Sequence, residues 1–263
     1  MAPTAIRHAG NESQKKNYLS KISTNKYRFG VGFGEFIGKR NDAGITFSNN
    51  VLNGRAMFVL DANDATHLLL ADEKGQIFVV DAKSLNLEMI QLTTVDKTRQ
   101  YAEVVCKDLE AEVLENSANS KEPINKAIDA GRIMLAADSL GASQTMIDKA
   151  VDYAKERKQF GRAIGSFQAV KHMCAEMAAD LEPCFALVWH AAHCHDHSPA
   201  EARLMACHAK AHVSEMSKSI AKKATEVHGG MGFTDLLGLH YWFKRIGLNR
   251  QILGSPELLR EEA

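Results

Sequence analysis

The sequence carries no formal net charge, with 32 basic and 32 acidic side chains among 263 residues. Nothing global therefore favours nucleic acid or an anionic membrane surface as a partner. Long apolar runs are missing too. No stretch approaches the ~20 residues a membrane span needs, and "MAPTAIRHAGNESQKKNYLSK" (1–21) lacks the apolar core of a secretory signal. The five cysteines form no close CxxC pair and are odd in number. That favours a reduced, intracellular compartment over a disulfide scaffold, with the cytoplasm as the default. There is no GxSxG elbow, since "GSFQ" (165–168) does not supply one, so a local Ser/His/Asp signature is absent. "GVGFGEFIG" (30–38) is glycine-rich, but hairpin-like texture follows it, which denies the βαβ context of a dinucleotide fold. No internal repeat or low-complexity segment occurs.

What remains, at 45% hydrophobic and 24% charged residues, is a globular chain of one large or two ordinary domains. It has two textures. From about Tyr27 to Leu114 short β-rich runs alternate with turn signals: "GITFSNNVLNGRAMFVL" (44–60) about "LNG", "THLLLADEKGQIFVVDAK" (66–83) about "DEKG", then 87–95 and 101–114. These predict a small antiparallel sandwich or barrel. From about Ser120 long segments with i, i+3, i+4 apolar spacing take over, with a glycine pair at Gly229–Gly230 closing one of them. They predict an up-down four-helix bundle. The fold class is therefore α+β and multi-domain. The boundary falls in the polar "ENSANSKEP" (115–123), and the first ~25 residues include a short polar helix, "NESQKKNYLSKI".

Two stretches invite chemistry. "WHAAHCHDHS" (189–198) gathers His190, His193, Cys194, His195 and His197. His190 and Cys194 share a helix face and have metal-ligand identities. No catalytic acid lies between the histidines, and the run leads into the polar "HDHSPAEA". The expectation is loop histidines beside a structural cysteine, with no metal. "YAKERKQFGRAIGSFQAVKH" (153–172) predicts a helix, a glycine-marked bend and a second helix. Its positive charge has two readings. Cations at a helix C-terminus complement the macrodipole without any ligand. Alternatively, Arg157 can fork onto a phosphate, Phe160 offers a flat apolar face and Gly161 lets backbone approach closely. "HGGMGF" (228–233) closes a later helix and bundle geometry can bring the two junctions together.

At these residues the sequence resembles the acyl-CoA dehydrogenase family. Residues 150–182 look like its signature around the first long helix pair of the carboxy-terminal domain, and 224–245 like its second signature. "GNESQKKNYLSKI" (10–22) resembles the final helix of the family's amino-terminal domain, and 44–71 its middle β-domain. The resemblance implies three segments: 1–26 as the remnant of a helical domain otherwise absent, 27–118 as the β-domain and 119–263 as the bundle. It implies FAD as cofactor and α,β-dehydrogenation of an acyl-CoA thioester as the reaction, with roles in lipid metabolism. The FAD contacts it implies are Arg157, Phe160, Gly161, Gln168, His228, Gly229 and Gly230. Asp129 and Arg132 match its acyl-CoA side. It also implies homo- or hetero-oligomers through the bundle and an electron-transfer flavoprotein as redox partner.

The chain departs from the family where the chemistry is done. Gly32 stands where a threonine backs the flavin, within 29–42, and Leu60 replaces another threonine whose hydroxyl serves the ring. The two positions where family members carry the catalytic carboxylate are Gly131 and Gly254. Glu257 is a weak displaced candidate, and Asp138 lies two helical turns from the first position. These losses spare the nucleotide-phosphate residues. They point as much to a non-catalytic companion that completes a partner's FAD site, or to a shortened inactive member, as to a self-sufficient enzyme.

Overall fold

Residues 1–38 and 41–263 are described by the structure, a computed structural model; Lys39 and Arg40, inside the glycine-rich 29–42 stretch, lie outside the described residues. The architecture is mixed α and β, and the chain divides into two units, Met1–Gly131 and Arg132–Ala263.

The first unit opens with α1 (Ala2–Ala9) and α2 (Glu12–Ser23). Asn11 and Gln14 form a reciprocal capping box: the Gln14 N–H donates to Asn11 Oδ1 at 2.8 Å and the Asn11 N–H to Gln14 Oε1 at 3.0 Å. Eight strands follow: β1 (Phe29–Gly32), β2 (Gly44–Ser48), β3 (Val51–Leu60), β4 (His67–Ala71), β5 (Ile77–Asp81), β6 (Leu87–Leu92), β7 (Tyr101–Glu110) and β8 (Glu112–Val113), with the one-turn α3 (Gly34–Ile37) after β1. The sheet order is β6-β7-β3-β1-β4-β5-β8, with β2 also on β3. β4 shows why this sheet has two faces. Leu69 and Ala71 join Ala5, Ile6 and Tyr18 in one core, while Leu68 and Leu70 join Ala56, Val104 and Phe78 in another. A strand buried on both sides reads as the unbroken apolar run "HLLLA".

Three expectations change here. The turn between β2 and β3 is Asn49–Asn50, both with positive φ, not "LNG". Paired asparagines suit the type I′ geometry that matches strand twist, whereas Gly54 lies within β3 beside a register shift against β7. β1 and β4 pair in parallel, Phe29 opposite His67 through Gly32 opposite Leu70. The β2–β3 pair intervenes between them in the chain, so no tight turn dictates their direction. α1 was not anticipated, since its buried face is only Ala5, Ile6 and Ala9.

The long helices are α4 (Glu122–Glu156), which runs through both units, α5 (Gln168–His197) and α6 (Pro199–His228). α7 (Leu239–Gln251) and the short α8 (Pro256–Glu262) complete the chain. Ile133, Leu140 and Ile147 recur every seven residues on α4, and Met177, Leu181, Cys184, Val188 and Ala191 alternate by four and three on α5. These stripes meet the alanine-rich face of α6, where Ala206, Ala209 and Val213 allow close helix approach. Truncating Leu181 to alanine in such a core costs about 2–5 kcal/mol.

The expected polar loop after α5 is corrected. His195 and His197 belong to the last turn of α5, and the link to α6 is Ser198 alone. Pro199 fits the first position of α6, where its missing N–H costs nothing, and it cannot extend α5.

Candidate functional site

The junction between α4 and α5 is not a simple bend. Lys158–Gln159 and Arg162–Ala163 form a two-stranded hairpin, β9 and β10, with Arg162 opposite Gln159. The turn residues Phe160 and Gly161 have φ of 52° and 78°. Positive φ at both positions makes this a type I′-like turn. Glycine suits it; phenylalanine is strained there, by about 1–3 kcal/mol. A bulky ring held in that conformation and 90% exposed is not explained by packing. Phe160 meets Phe167 edge-on, at 6.1 Å between centroids, and the Arg162 guanidinium stacks over Phe167 at 4.0 Å. Arg157, Lys158, Arg162 and Gln168 are exposed on the same short segment. The Arg157 carbonyl accepts from the Ile164 N–H at 2.8 Å, which fixes the backbone while leaving the guanidinium at the surface.

The second glycine motif is tied to this junction. Tyr153, one helical turn before Arg157, stacks on His228, with ring centroids 4.7 Å apart and planes 29° off parallel. His228 is buried, and its Nδ1–H donates to the Ala224 carbonyl at 2.7 Å, which fixes the orientation of the ring. Gly229 and Gly230 follow at once as the start of a 3-10 turn, Gly229–Phe233, and both are exposed. A Cβ built on Gly161, Gly229 or Gly230 meets nothing within 4 Å. The site is thus a cationic hairpin and an open glycine pair, joined beneath by an aromatic stack. Its chemistry suits an anionic group approached by backbone and guanidinium, with a planar ring against Phe160. Sequence spacing singled out the two ends, but Tyr153 was missed. The signal was there: an aromatic residue one turn before the arginine and a histidine just before the glycine pair.

Asp129 and Arg132 occupy one face of α4, and both are buried, with 4% and 0% exposure. The Arg132 guanidinium is engaged inside the second unit. It donates to the Leu253 carbonyl at 2.9 Å and to Glu262 at 2.7 Å, and Arg203 donates to the same Glu262 oxygen at 2.7 Å. Arg132 therefore presents no open guanidinium in this state.

No carboxylate stands at either candidate base position. Gly131 is buried within α4. Gly254 follows Leu253 in a turn where φ is 59° and then 110°. Its hypothetical Cβ would lie 3.1 Å from Leu259 Cδ2, so the turn is shaped around glycine. Glu257 is exposed and accepts from Arg250 at 2.6 Å. Its own backbone N–H, then Ser255 and Arg250, bring its carboxyl down to about 2. Such a carboxylate is a poor proton acceptor. Asp138 is equally committed, paired with Arg245 through two bonds of 2.8 and 2.9 Å and bonded by Asn249 at 2.6 Å.

In the first unit the glycine at position 32 has a packing reason. A Cβ on Gly32 would lie 2.9 Å from Val59 Cγ2 and 3.0 Å from Leu70 Cδ2. Leu60, opposite Val31, presents no hydroxyl.

Comparisons with known proteins agree with this architecture. The family described as "Acyl-CoA dehydrogenase, C-terminal domain" matches residues 122–262. The chain is 34% identical over 249 residues to the "Caffeyl-CoA reductase-Etf complex subunit CarC" of Acetobacterium woodii, covering 86% of this chain and 64% of that protein. It thus spans somewhat under two thirds of that relative's length. Among solved structures, butyryl-CoA dehydrogenase from Megasphaera elsdenii superposes with a TM-score of 0.89 at 20% identity, over 99% of this chain and 73% of the other. A glutaryl-CoA dehydrogenase from Mycobacterium smegmatis, in complex with FADH2, gives 0.87 at 17% identity, over 99% and 70%. The chain belongs to the acyl-CoA dehydrogenase family.

Proposed function

We propose that the chain is a subunit serving FAD-dependent α,β-dehydrogenation of an acyl-CoA thioester, and that it lends nucleotide contacts rather than the catalytic base. The observation carrying this reading is the aromatic-linked pair of junctions set against glycine at both base positions. Arg157, Gln168 and the open backbone of Gly161, Gly229 and Gly230 fit the ADP half of FAD, with Phe160 against the adenine. The fit ends at the ring, because Gly32 and Leu60 offer no side-chain donor. When bound, FAD supplies a hydride acceptor for the thioester β-carbon. The proton from the α-carbon then needs a carboxylate, which this reading assigns to a partner chain.

The same proposal carries the three-segment division at 26/27 and 118/119, and an oligomer formed through the bundle. The Etf complex in the name of the A. woodii relative is the support for an electron-transfer flavoprotein as partner. No helix among the described residues is long and apolar enough to cross a membrane, and a cytoplasmic site of action belongs to the proposal. Arg132 reaches an acyl-CoA only if its bonds to Glu262 and the Leu253 carbonyl open, with Asp129 proposed beside it on the acyl-CoA side.

The test is the visible spectrum of the purified chain, alone and after co-expression with a full-length family member from a neighbouring gene. A colourless chain that gains flavin and acyl-CoA-dependent bleaching only with the partner is expected. Stoichiometric flavin that bleaches with an acyl-CoA in the isolated chain would overturn the companion role.

A further inference from the structure

The one-residue joint at Ser198 brings three metal-ligating side chains together. His190 and Cys194 stand one turn apart on α5, and Glu201 lies in the first turn of α6. Cys194 Sγ is 3.6 Å from His190 Nε2 and 3.8 Å from Glu201 Oε2, and all three donor atoms fall within 4.8 Å of one another. Zinc bonds of about 2.3 Å to sulfur and about 2.0–2.2 Å to nitrogen or oxygen, in a tetrahedron, separate neighbouring donors by ~3.5 Å. The two sulfur-centred edges already approach that spacing without any ion.

The backbone under the donors is held. The Ser198 N–H donates to the Cys194 carbonyl at 2.9 Å, and the Glu201 and Ala202 N–H groups donate to the Ser198 carbonyl at 2.9 and 3.0 Å. Ala191 and Ala206 lock the two helices in the core on either side. Cys194 is buried while His190 and Glu201 are exposed, so the site has a sulfur floor and an open mouth. A thiolate and a carboxylate neutralise a divalent cation, and a sulfur, nitrogen and oxygen set selects zinc-class ions over calcium or magnesium. The positive end of α6 opposes a cation here, and the last carbonyls of α5 offset it.

We infer that His190, Cys194 and Glu201 form a binding site for a zinc-class divalent cation that pins the α5–α6 joint, with water in the fourth position. His190 lies 22 residues along α5 from Gln168, about 33 Å at 1.5 Å per residue. The site is therefore independent of the nucleotide junction, and of the proposed function.

The test uses the full chain, stripped with a chelator and titrated with cobalt(II), then with zinc(II). Expected are stoichiometric cobalt, a near-ultraviolet thiolate-to-cobalt band, tetrahedral visible bands, and displacement by zinc. Cys194→Ser removes the charge-transfer band. His190→Gln and Glu201→Gln, both at exposed positions, weaken zinc by on the order of tenfold or more, since losing even an outer partner costs that much. They also shrink the zinc-dependent rise in melting temperature at a given zinc concentration while leaving the circular dichroism unchanged. Absence of stoichiometric binding overturns the site. So does a charge-transfer band that survives in Cys194→Ser, or unchanged zinc affinity in both surface variants.

Discussion

Tyr153 and His228 stack face to face at 4.7 Å, and that contact joins the end of α4 to the end of α6 beneath two glycine-bearing junctions. The stack positions the two junctions against each other. Replacing Tyr153 with leucine keeps an apolar side chain and removes the ring stack, a loss of about 0.5–1.5 kcal/mol. A modest drop in unfolding midpoint is expected, together with weaker flavin retention by the partner complex. Flavin retention that stays at the wild-type level would show that the stack only packs.

Arg157 tests the phosphate contact directly. Its side chain is exposed and its backbone is fixed by the Ile164 N–H. Arg157→Ala should leave stability within about 0.5 kcal/mol, as surface changes usually do. The flavin-to-protein absorbance ratio of the assembled complex should fall. Arg157→Lys keeps the charge but loses the planar fork, and is expected to recover only part of the flavin.

Phe160 separates fold from function. Its φ of 52° is a position that asparagine or glycine takes at little cost. Phe160→Asn creates Asn-Gly, the favoured two-residue hairpin pair. Chemical denaturation should find the variant more stable by about 1 kcal/mol. The same variant should hold flavin less well, because the apolar ring is gone. A variant less stable than wild type would remove the argument that strain is retained for binding.

These contrasts mark what was legible in the sequence. The bundle was, because Ile133, Leu140 and Ile147 repeat at seven and the α5 stripe repeats at four and three. The β4–β5 hairpin was, because "DEKG" separates two apolar runs. The β9–β10 hairpin was not, since phenylalanine is no turn residue and only its φ of 52° reveals the turn. The Ser198 joint was hidden for a related reason. A run of histidine and aspartate looks like loop, yet Cys194 is buried and the helix continues beneath it. Asp129 and Arg132 were visible as identities, but the partners that now hold Arg132 lie far along the chain, Cys207 at 75 residues and Leu253 and Glu262 at more than a hundred.

Restoring family-like residues should not restore chemistry cheaply. Gly254→Glu puts a side chain at φ 110° and crowds Leu259. Gly32→Thr drives a Cβ against Val59 and Leu70. Each is expected to cost about 1–3 kcal/mol, read as a lowered denaturation midpoint. An isolated Gly254→Glu chain that folds at wild-type stability would mean that the turn is not built around glycine.

Lys210 provides a pH signature. It is fully buried on α6 and donates to the Arg250 carbonyl at 3.3 Å and to the Gly254 carbonyl and Ser214 Oγ at 3.4 Å each. Burial, then the neighbouring charges of Arg132 and Arg250, bring its ammonium down to about 7. In the unfolded chain a lysine titrates at about 10.4. Between those values the unfolded state binds more protons, so stability rises with pH across the window and is lost as pH falls through 7. Lys210→Met should remove this slope, a difference on the order of a few kcal/mol between its two ends. Urea denaturation at pH 6 and pH 9 reads it: the wild type gains stability at the higher pH, and the variant stays nearly level and exceeds the wild type at pH 6. A variant weaker than wild type at pH 6 would mean that the carbonyl bonds outweigh the cost of burying the charge.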